Sequence, residues 1–514
     1  MDTAPTPAPT PEEITLRTAV IATALSTAAG FAVRLAGIFR RVPWQDEVDF
    51  WIGALSSQRS PQAAPLPAAL YGAVAGLFHS KDPMLLRWVS VVLGTVAVPA
   101  AYLLGRALVN RRVGALTALI VALSPASWYW AQELRPYALY QLLTTLTLLA
   151  FVRGYVQDGP WARHGFFVGI LLCYTTHLVT VPFAAGLAAY AALSLWTLHD
   201  RNSLRRFLSL LVSIITSGLM GLLWIRNRWN PVSGVMEGGY RLGFFHFVRT
   251  VLWSLGPSAA MVPPSLAVFD GLALALVAVA TIGFLELRRA QIRPRAWLIP
   301  IVIGVMAGAL YLQLGVKSTY NWNRYLVLLV PFYAVLVASG VAFASAGRPA
   351  YFRRMAIAIL ISLYLPDLVR FSIQGQTSPG VDNPVSGPVI AREQGRLRGV
   401  LLTGTDVTVS SDRVLNAYAM YRSDRLPAYL VMDGRVLFFD DSVMSRAPVA
   451  LETGRRPDTP IIGGEYAVVS WDGEGDDNPC AGLKDLVEPG ACRAVTLGSE
   501  SRGLRFVSIG KGGL

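Results

Sequence analysis

Residues 18–51 read TAVIATALSTAAGFAVRLAGIFRRVPWQDEVDFW. The first part, 18–38, is an apolar run long enough to cross the hydrocarbon core of a bilayer. It ends on Arg40 and Arg41, and three carboxylates follow within four residues: Asp46, Glu47 and Asp49. Charge held at a membrane boundary is costly, which makes such acids candidates for function before anything else is known.

The same apolar pattern recurs along the chain. Runs at 85–108, 113–131, 136–152, 165–182, 183–197, 208–225, 266–286, 298–315, 325–346 and 355–370 join the first, about eleven spans at roughly 20 residues each. The composition agrees, with 53% hydrophobic and 15% charged residues where a soluble domain carries roughly 25% charge. The chain therefore reads as a polytopic α-helical membrane protein. Its formal charge of +13 does not point to nucleic acid, because no basic stripe interleaved with aromatics is present. Arginines cluster instead in the short connections 106–112, 153–164, 198–207, 287–297 and 347–354. Positive charge on every second loop sets those loops in the cytoplasm. With an odd number of spans, everything after residue 371 is then extracytoplasmic.

Three parts follow. Residues 1–17 form a short cytoplasmic tail, rich in Pro, Thr and Ala at its start, that reads as disordered. Residues 18–370 form the membrane domain, with long outer loops at 39–84 and 226–264. In the first of these, 68–78 is apolar yet too short to span, which suits a helix lying at the interface. Residues 371–514 form a soluble domain whose β-prone runs, 407–409, 429–431, 436–439 and 466–469, alternate with turn residues and predict a mixed α/β fold. Cys173 lies inside an apolar run, whereas Cys480 and Cys492 lie close together in the soluble part. A disulfide between the latter pair suits an oxidising compartment.

The outer ends of the spans collect the polar residues. They are Asp46-Glu47, the turn Ser124–Tyr137 with Glu133 and Arg135, the string Tyr174-Thr175-Thr176-His177, and the stretch Lys317–Tyr325 with Arg324. A carboxylate, an imidazole and several guanidinium groups on one membrane face can hold a phosphate and remove a proton. Trp128, Trp130 and Trp322 suit an aromatic belt at the interface.

The strings also carry a resemblance. Leu86-Arg87-Trp88-Val89-Ser90-Val91-Val92-Leu93-Gly94, then Tyr102-Leu103-Leu104-Gly105-Arg106, then Leu123-Ser124-Pro125 resemble the GT-C superfamily, in the group of protein O-mannosyltransferases and lipid A aminoarabinose transferases. Asp46-Glu47 matches the acidic pair of the first outer loop. Ala131-Gln132-Glu133-Leu134-Arg135-Pro136-Tyr137 matches a Ser-Gln-Glu-x-Arg-x-Tyr string except at its first position. Tyr174–His177 is similar to a Tyr-Thr-His string with one residue inserted, and Arg324-Tyr325-Leu326 with Pro331 matches a late Arg-Tyr-Leu…Pro string. One departure is Ala64-Pro65-Leu66-Pro67, where many relatives carry a basic residue before the prolines.

The resemblance implies a GT-C fold in the inner membrane of a bacterium and an inverting transfer of one sugar. The donor is a polyprenyl-phosphate sugar and the acceptor a lipid, glycan or protein at the outer face. Asp46 is then the base and Glu47 orients the acceptor. Arg135 and Arg324 hold the donor phosphate, supported by Glu133, His177, Tyr137 and Tyr325. Relatives differ on a divalent metal cation, for which Glu47 and His177 would be the ligands. The alternative from another class is a flippase for a lipid-linked saccharide, which calls for midplane charges and a repeat; within the enzyme class it is an oligosaccharide ligase.

Overall fold

The computed structural model describes residues 13–38, 50, 64–79, 83–198, 201–228, 243–258, 266–289, 293–316, 322–374, 399–403, 428–432, 435–439, 464–470, 492–495 and 504–509. Asp46, Glu47 and Cys480 lie outside the described residues, as do the run 407–409 and most of the N-terminal tail. The chain divides into two compact units, 1–41 with 53–375 and 42–52 with 376–514.

The first unit is a helical bundle. Its helices are α1 (Leu16–Ile38), α2 (Pro65–Leu77), α3 (Pro83–Leu108), α4 (Arg111–Leu123), α5 (Pro125–Trp130), α6 (Tyr137–Phe151), α7 (Pro160–Tyr174), α8 (Thr180–Leu198), α9 (Arg201–Arg228), α10 (Phe244–Leu255), α11 (Leu266–Arg289), α12 (Arg293–Val316), α13 (Val330–Ala344) and α14 (Ala350–Gln374). A π segment, Val152–Val156, extends α6, and a 3-10 helix, Trp322–Leu329, leads into α13. Each of the eleven apolar runs falls on this helical framework. Among the described residues, seven helices are by themselves long and apolar enough to cross a membrane, and the protein is a multi-pass membrane protein.

Two expected spans are interrupted. The run 113–131 breaks at Ser124, because Pro125 cannot donate to the carbonyl four residues back and instead starts a new helix. The run 165–182 stops at Tyr174, and a turn carrying His177 separates α7 from α8. The expected interfacial segment is α2, begun by Pro65 at its first position. It is pinned at its start by Leu66 N–H donating to Thr175 O (3.2 Å).

The centre of the bundle is the segment 324–344, which is buried without interruption from Leu326 to Ala342. A helix apolar on all sides has no face to give to water, so it is surrounded by other helices. Its contact with α11 is backbone to backbone: a Cβ on Gly283 would collide with Leu336 O, and one on Gly340 with Val279 O. Small residues at such crossings let helices approach in lipid, where close packing replaces the hydrophobic drive. At the opposite end from the outer turns, Asp158 pairs with Arg163 and Arg206. Arg112 donates to Ser345 Oγ (2.8 Å).

The second unit contains a six-stranded sheet of β1 (Gly399–Thr403), β2 (Ala428–Met432), β3 (Arg435–Phe439), β4 (Gly464–Ser470), β5 (Cys492–Val495) and β6 (Leu504–Ile509). The order is β3-β2-β1-β4-β6-β5. The central strand β1 runs parallel to β2 and β4, while β3, β5 and β6 pair antiparallel to their neighbours. The strand that organises the sheet, β1, was not among the expected β-prone runs. Cys173 is free and buried, and Cys492 is disulfide-bonded.

Candidate active site

The turn between α5 and α6 is the keystone. Pro125 starts α5, whose Trp128, Tyr129 and Trp130 are buried. Trp128 and Trp130 therefore do not form an interfacial belt; they pack inside the protein, with Trp130 against the Tyr137 ring (5.4 Å between centroids). The chain then turns through Gln132, Glu133 and Arg135, all buried. Arg135 N–H donates to Glu133 O (2.9 Å). From α2, Tyr71 donates to Arg135 O (3.3 Å) and shares a hydrogen bond with Ser90 (2.6 Å). A buried hydroxyl needs such a partner, and here it fixes the backbone that carries Arg135.

Arg135 and Arg324 converge on one ring. Their guanidinium carbons lie 5.6 and 5.9 Å from the centroid of Tyr137. Arg135 Nη2 also donates to the Tyr137 hydroxyl (3.3 Å). Arg324 lies 5.1 Å from the Tyr325 ring and donates to its hydroxyl (3.2 Å). Both cations are nearly removed from solvent. Arg324 is thus packed among tyrosines rather than reaching toward headgroups.

His177 closes the cluster. Its ring lies 5.0 Å from Tyr325, 5.5 Å from Tyr140 and 6.4 Å from Tyr137. Val179 N–H donates to Nδ1 (3.1 Å), so the proton of the neutral ring belongs on Nε2. Burial, followed by the positive charges of Arg324 and Arg135, lowers its pKa to about 3. A charged imidazole is unwelcome there. The same argument disfavours His177 as a ligand for a divalent cation, since two guanidinium groups already repel positive charge. Among the described residues, no three His, Cys, Asp or Glu side chains gather as metal ligands.

The cluster therefore suits an anion. It brings together Arg135, Tyr137, His177, Arg324 and Tyr325, with Glu133 in the supporting turn. Tyr140 and Tyr71 were not foreseen. Tyr140 sits on the α6 face next to Tyr137, and its hydroxyl bonds Thr180 (3.0 Å). Asp46 and Glu47 cannot be placed, being outside the described residues.

Comparison with solved structures gives the fold. ArnT from Cupriavidus metallidurans bound to undecaprenyl phosphate is similar over 96% of this chain and 98% of its own, with a TM-score of 0.57 and 12% identity. The chain has the GT-C fold. Apo ArnT from the same organism matches with a TM-score of 0.53 and 13% identity, over 95% of this chain and 97% of that one. The apo oligosaccharyltransferase of Archaeoglobus fulgidus matches this chain with a TM-score of 0.50 and 11% identity. That alignment covers 79% of this chain and only 64% of the archaeal enzyme's length. The family described as dolichyl-phosphate-mannose-protein mannosyltransferase matches residues 62–224, which include the Glu133–Tyr137 turn and His177. No curated protein matches by sequence.

Proposed function

We propose that this chain is an inverting glycosyltransferase that moves one sugar from a polyprenyl-phosphate donor to a lipid, glycan or protein acceptor. The reaction takes place at the outer face of a bacterial cytoplasmic membrane. The observation that carries this reading is the pair of buried guanidinium groups, Arg135 and Arg324, over the single ring of Tyr137. A guanidinium offers a phosphate two parallel donors. Further support comes from ArnT, which was solved with undecaprenyl phosphate in the same fold.

The chemistry asks for few groups. The acceptor hydroxyl gives its proton to the Asp46 carboxylate as its oxygen forms a bond to the anomeric carbon. The bond from that carbon to the phosphate oxygen breaks on the opposite side, so the configuration inverts. The polyprenyl phosphate leaves as an anion, and Arg135 and Arg324 stabilise the charge it gains. A phosphate leaving group needs no general acid, unlike the sugar alcohol released by a glycosidase. Neutral His177 can donate Nε2–H to an oxygen of the same phosphate without competing for its charge. Glu47 orients the acceptor.

The test is Asp46→Asn in purified protein reconstituted with a polyprenyl-phosphate sugar. Transfer falls at least about a hundredfold, the lower range for loss of a general base, while donor binding and the thermal midpoint hold. Undiminished transfer would remove Asp46 from the reaction.

A further inference from the structure

Two prolines interrupt the α-helical hydrogen-bond ladder inside the bundle, and one chain of side chains links the two breaks. In an α-helix each N–H donates to the carbonyl four residues earlier, and proline has none to give. The last such bond of α4 runs from Ser124 N–H to Ile120 O (2.8 Å). The next donor would be Pro125, so Val121 O is left open. Pro331 cannot donate the α-type bond to Val327 O, and its ring would crowd that carbonyl in α geometry; in the 3-10 helix the carbonyl takes its backbone bond from three residues on and keeps a second lone pair free to accept. This accounts for the eight-residue 3-10 helix before α13, a long run for that geometry.

Arg34, fully buried in α1 one turn before its end, reaches the first carbonyl. Its Nη2 donates to Val121 O (3.3 Å) and to Ser127 Oγ (3.0 Å), and Nη1 donates to Gly30 O (2.9 Å). A positive charge at the C-terminus of α4 also meets the negative end of that helix. Ser127 Oγ donates in turn to Gln141 Oε1 (3.0 Å). Gln141 Nε2 donates to Val327 O (3.0 Å). The order is forced from the far end: a carbonyl can only accept, so the glutamine turns its amide nitrogen to Val327 O, and its Oε1 accepts the serine proton. Space for the guanidinium is made by glycines. A Cβ on Gly30 would meet Nη1 at 2.8 Å, and one on Gly94 would meet Nε at 3.1 Å.

The far end of this chain lies under the site. In a 3-10 helix residues three apart eclipse one another, so Val327 stands directly below Arg324. Gln141 follows Tyr137 by four residues on the same face of α6. One helix thus supports both the Arg324 guanidinium and the backbone beneath it. We propose that Arg34, Ser127 and Gln141 form a buried strut that sets the position of the 3-10 helix, making them positioning residues for Arg324 in donor-phosphate binding. This rests on the reading of Arg324 as a phosphate ligand.

The experiment measures equilibrium binding of undecaprenyl phosphate to full-length protein in lipid nanodiscs. Arg324→Ala is the benchmark. If its affinity equals wild type, the phosphate reading of Arg324 fails by itself. If it weakens, Gln141→Leu is expected to weaken binding roughly tenfold, the scale of one buried hydrogen bond. In the Arg324→Ala background the same change costs less than about twofold, because coupled residues do not add. Ser127→Ala, which deletes a single hydroxyl, follows the same pattern, and Ser127→Thr restores affinity. Wild-type affinity in Gln141→Leu and Ser127→Ala overturns the strut. So does a Gln141 penalty that is equal in both backgrounds, since it then acts on the fold at large and not through Arg324.

Discussion

Tyr137 offers the sharpest test of the site, because one ring serves two cations and one hydroxyl serves a third contact. The guanidinium carbons sit 5.6 and 5.9 Å from the ring centroid, near the outer limit for a cation–π contact, so about 0.5–1 kcal/mol is assigned to each. The Arg135 hydrogen bond to the hydroxyl is long at 3.3 Å and is assigned about 1 kcal/mol. Tyr137→Phe deletes only the hydroxyl. Tyr137→Leu deletes the ring as well and frees both guanidinium groups to reorient before a ligand arrives. Organisation lost from the free protein must be supplied on binding. The phenylalanine variant should therefore weaken polyprenyl phosphate binding roughly fivefold, and the leucine variant roughly 30- to 150-fold. The assay is equilibrium binding in nanodiscs, with the thermal midpoint checking that each variant is folded. Equal affinity of the two variants would refute the claim that the ring preorganises the cations. Wild-type affinity in both would remove Tyr137 from the site.

Three further outcomes are expected. Gly94→Ala puts a methyl 2.5 Å from Ala131 Cβ, an overpacking worth about 1–3 kcal/mol; the thermal midpoint falls, and adding Ala131→Gly recovers part of the loss. His177, with its pKa lowered to about 3 by burial and by Arg324 and Arg135, favours folding only while neutral. Its contribution is present in full above its ordinary pKa of roughly 6.5 and fades as pH falls from there toward 3. His177→Gln should accordingly lose less thermal stability than wild type between pH 7 and pH 4, and parallel curves would contradict this. A reporter active only in an oxidising compartment, fused after Phe371, should be active; a silent, expressed fusion would reverse the orientation.

The membrane domain was legible because its signal is local. Most of the apolar runs are long enough to cross a bilayer whatever their neighbours do, and proline or a polar turn marks where a helix ends. The run 113–131 reads as one span by hydropathy, and the break at Pro125 came only with the structure. The strand β1 was missed because a central strand with parallel neighbours on both sides is defined by pairing, and its own five residues carry no distinctive alternation. Candidate site residues Arg135, Tyr137, His177, Arg324 and Tyr325 were legible as polar strings at the outer ends of spans. Nothing local said that they share one ring. Trp128 and Trp130 show the reverse error, since tryptophan near a span end suits lipid headgroups and a protein interior equally until the neighbouring helices are placed.

By itself the sequence determined the class of protein, the sidedness expected from its arginines and the side chains able to bind an anion. Only the tertiary structure decided that Arg135 and Arg324 meet over Tyr137. It alone decided that Arg34, Ser127 and Gln141 belong to the same assembly. The physical reason lies in the carbonyls beside the prolines. A proline announces in the sequence that a backbone acceptor will lack its α-helical donor, but the side chain that bonds that acceptor comes from 87 positions away for Val121 and 186 for Val327. Which side chain arrives there is settled by how the helices pack.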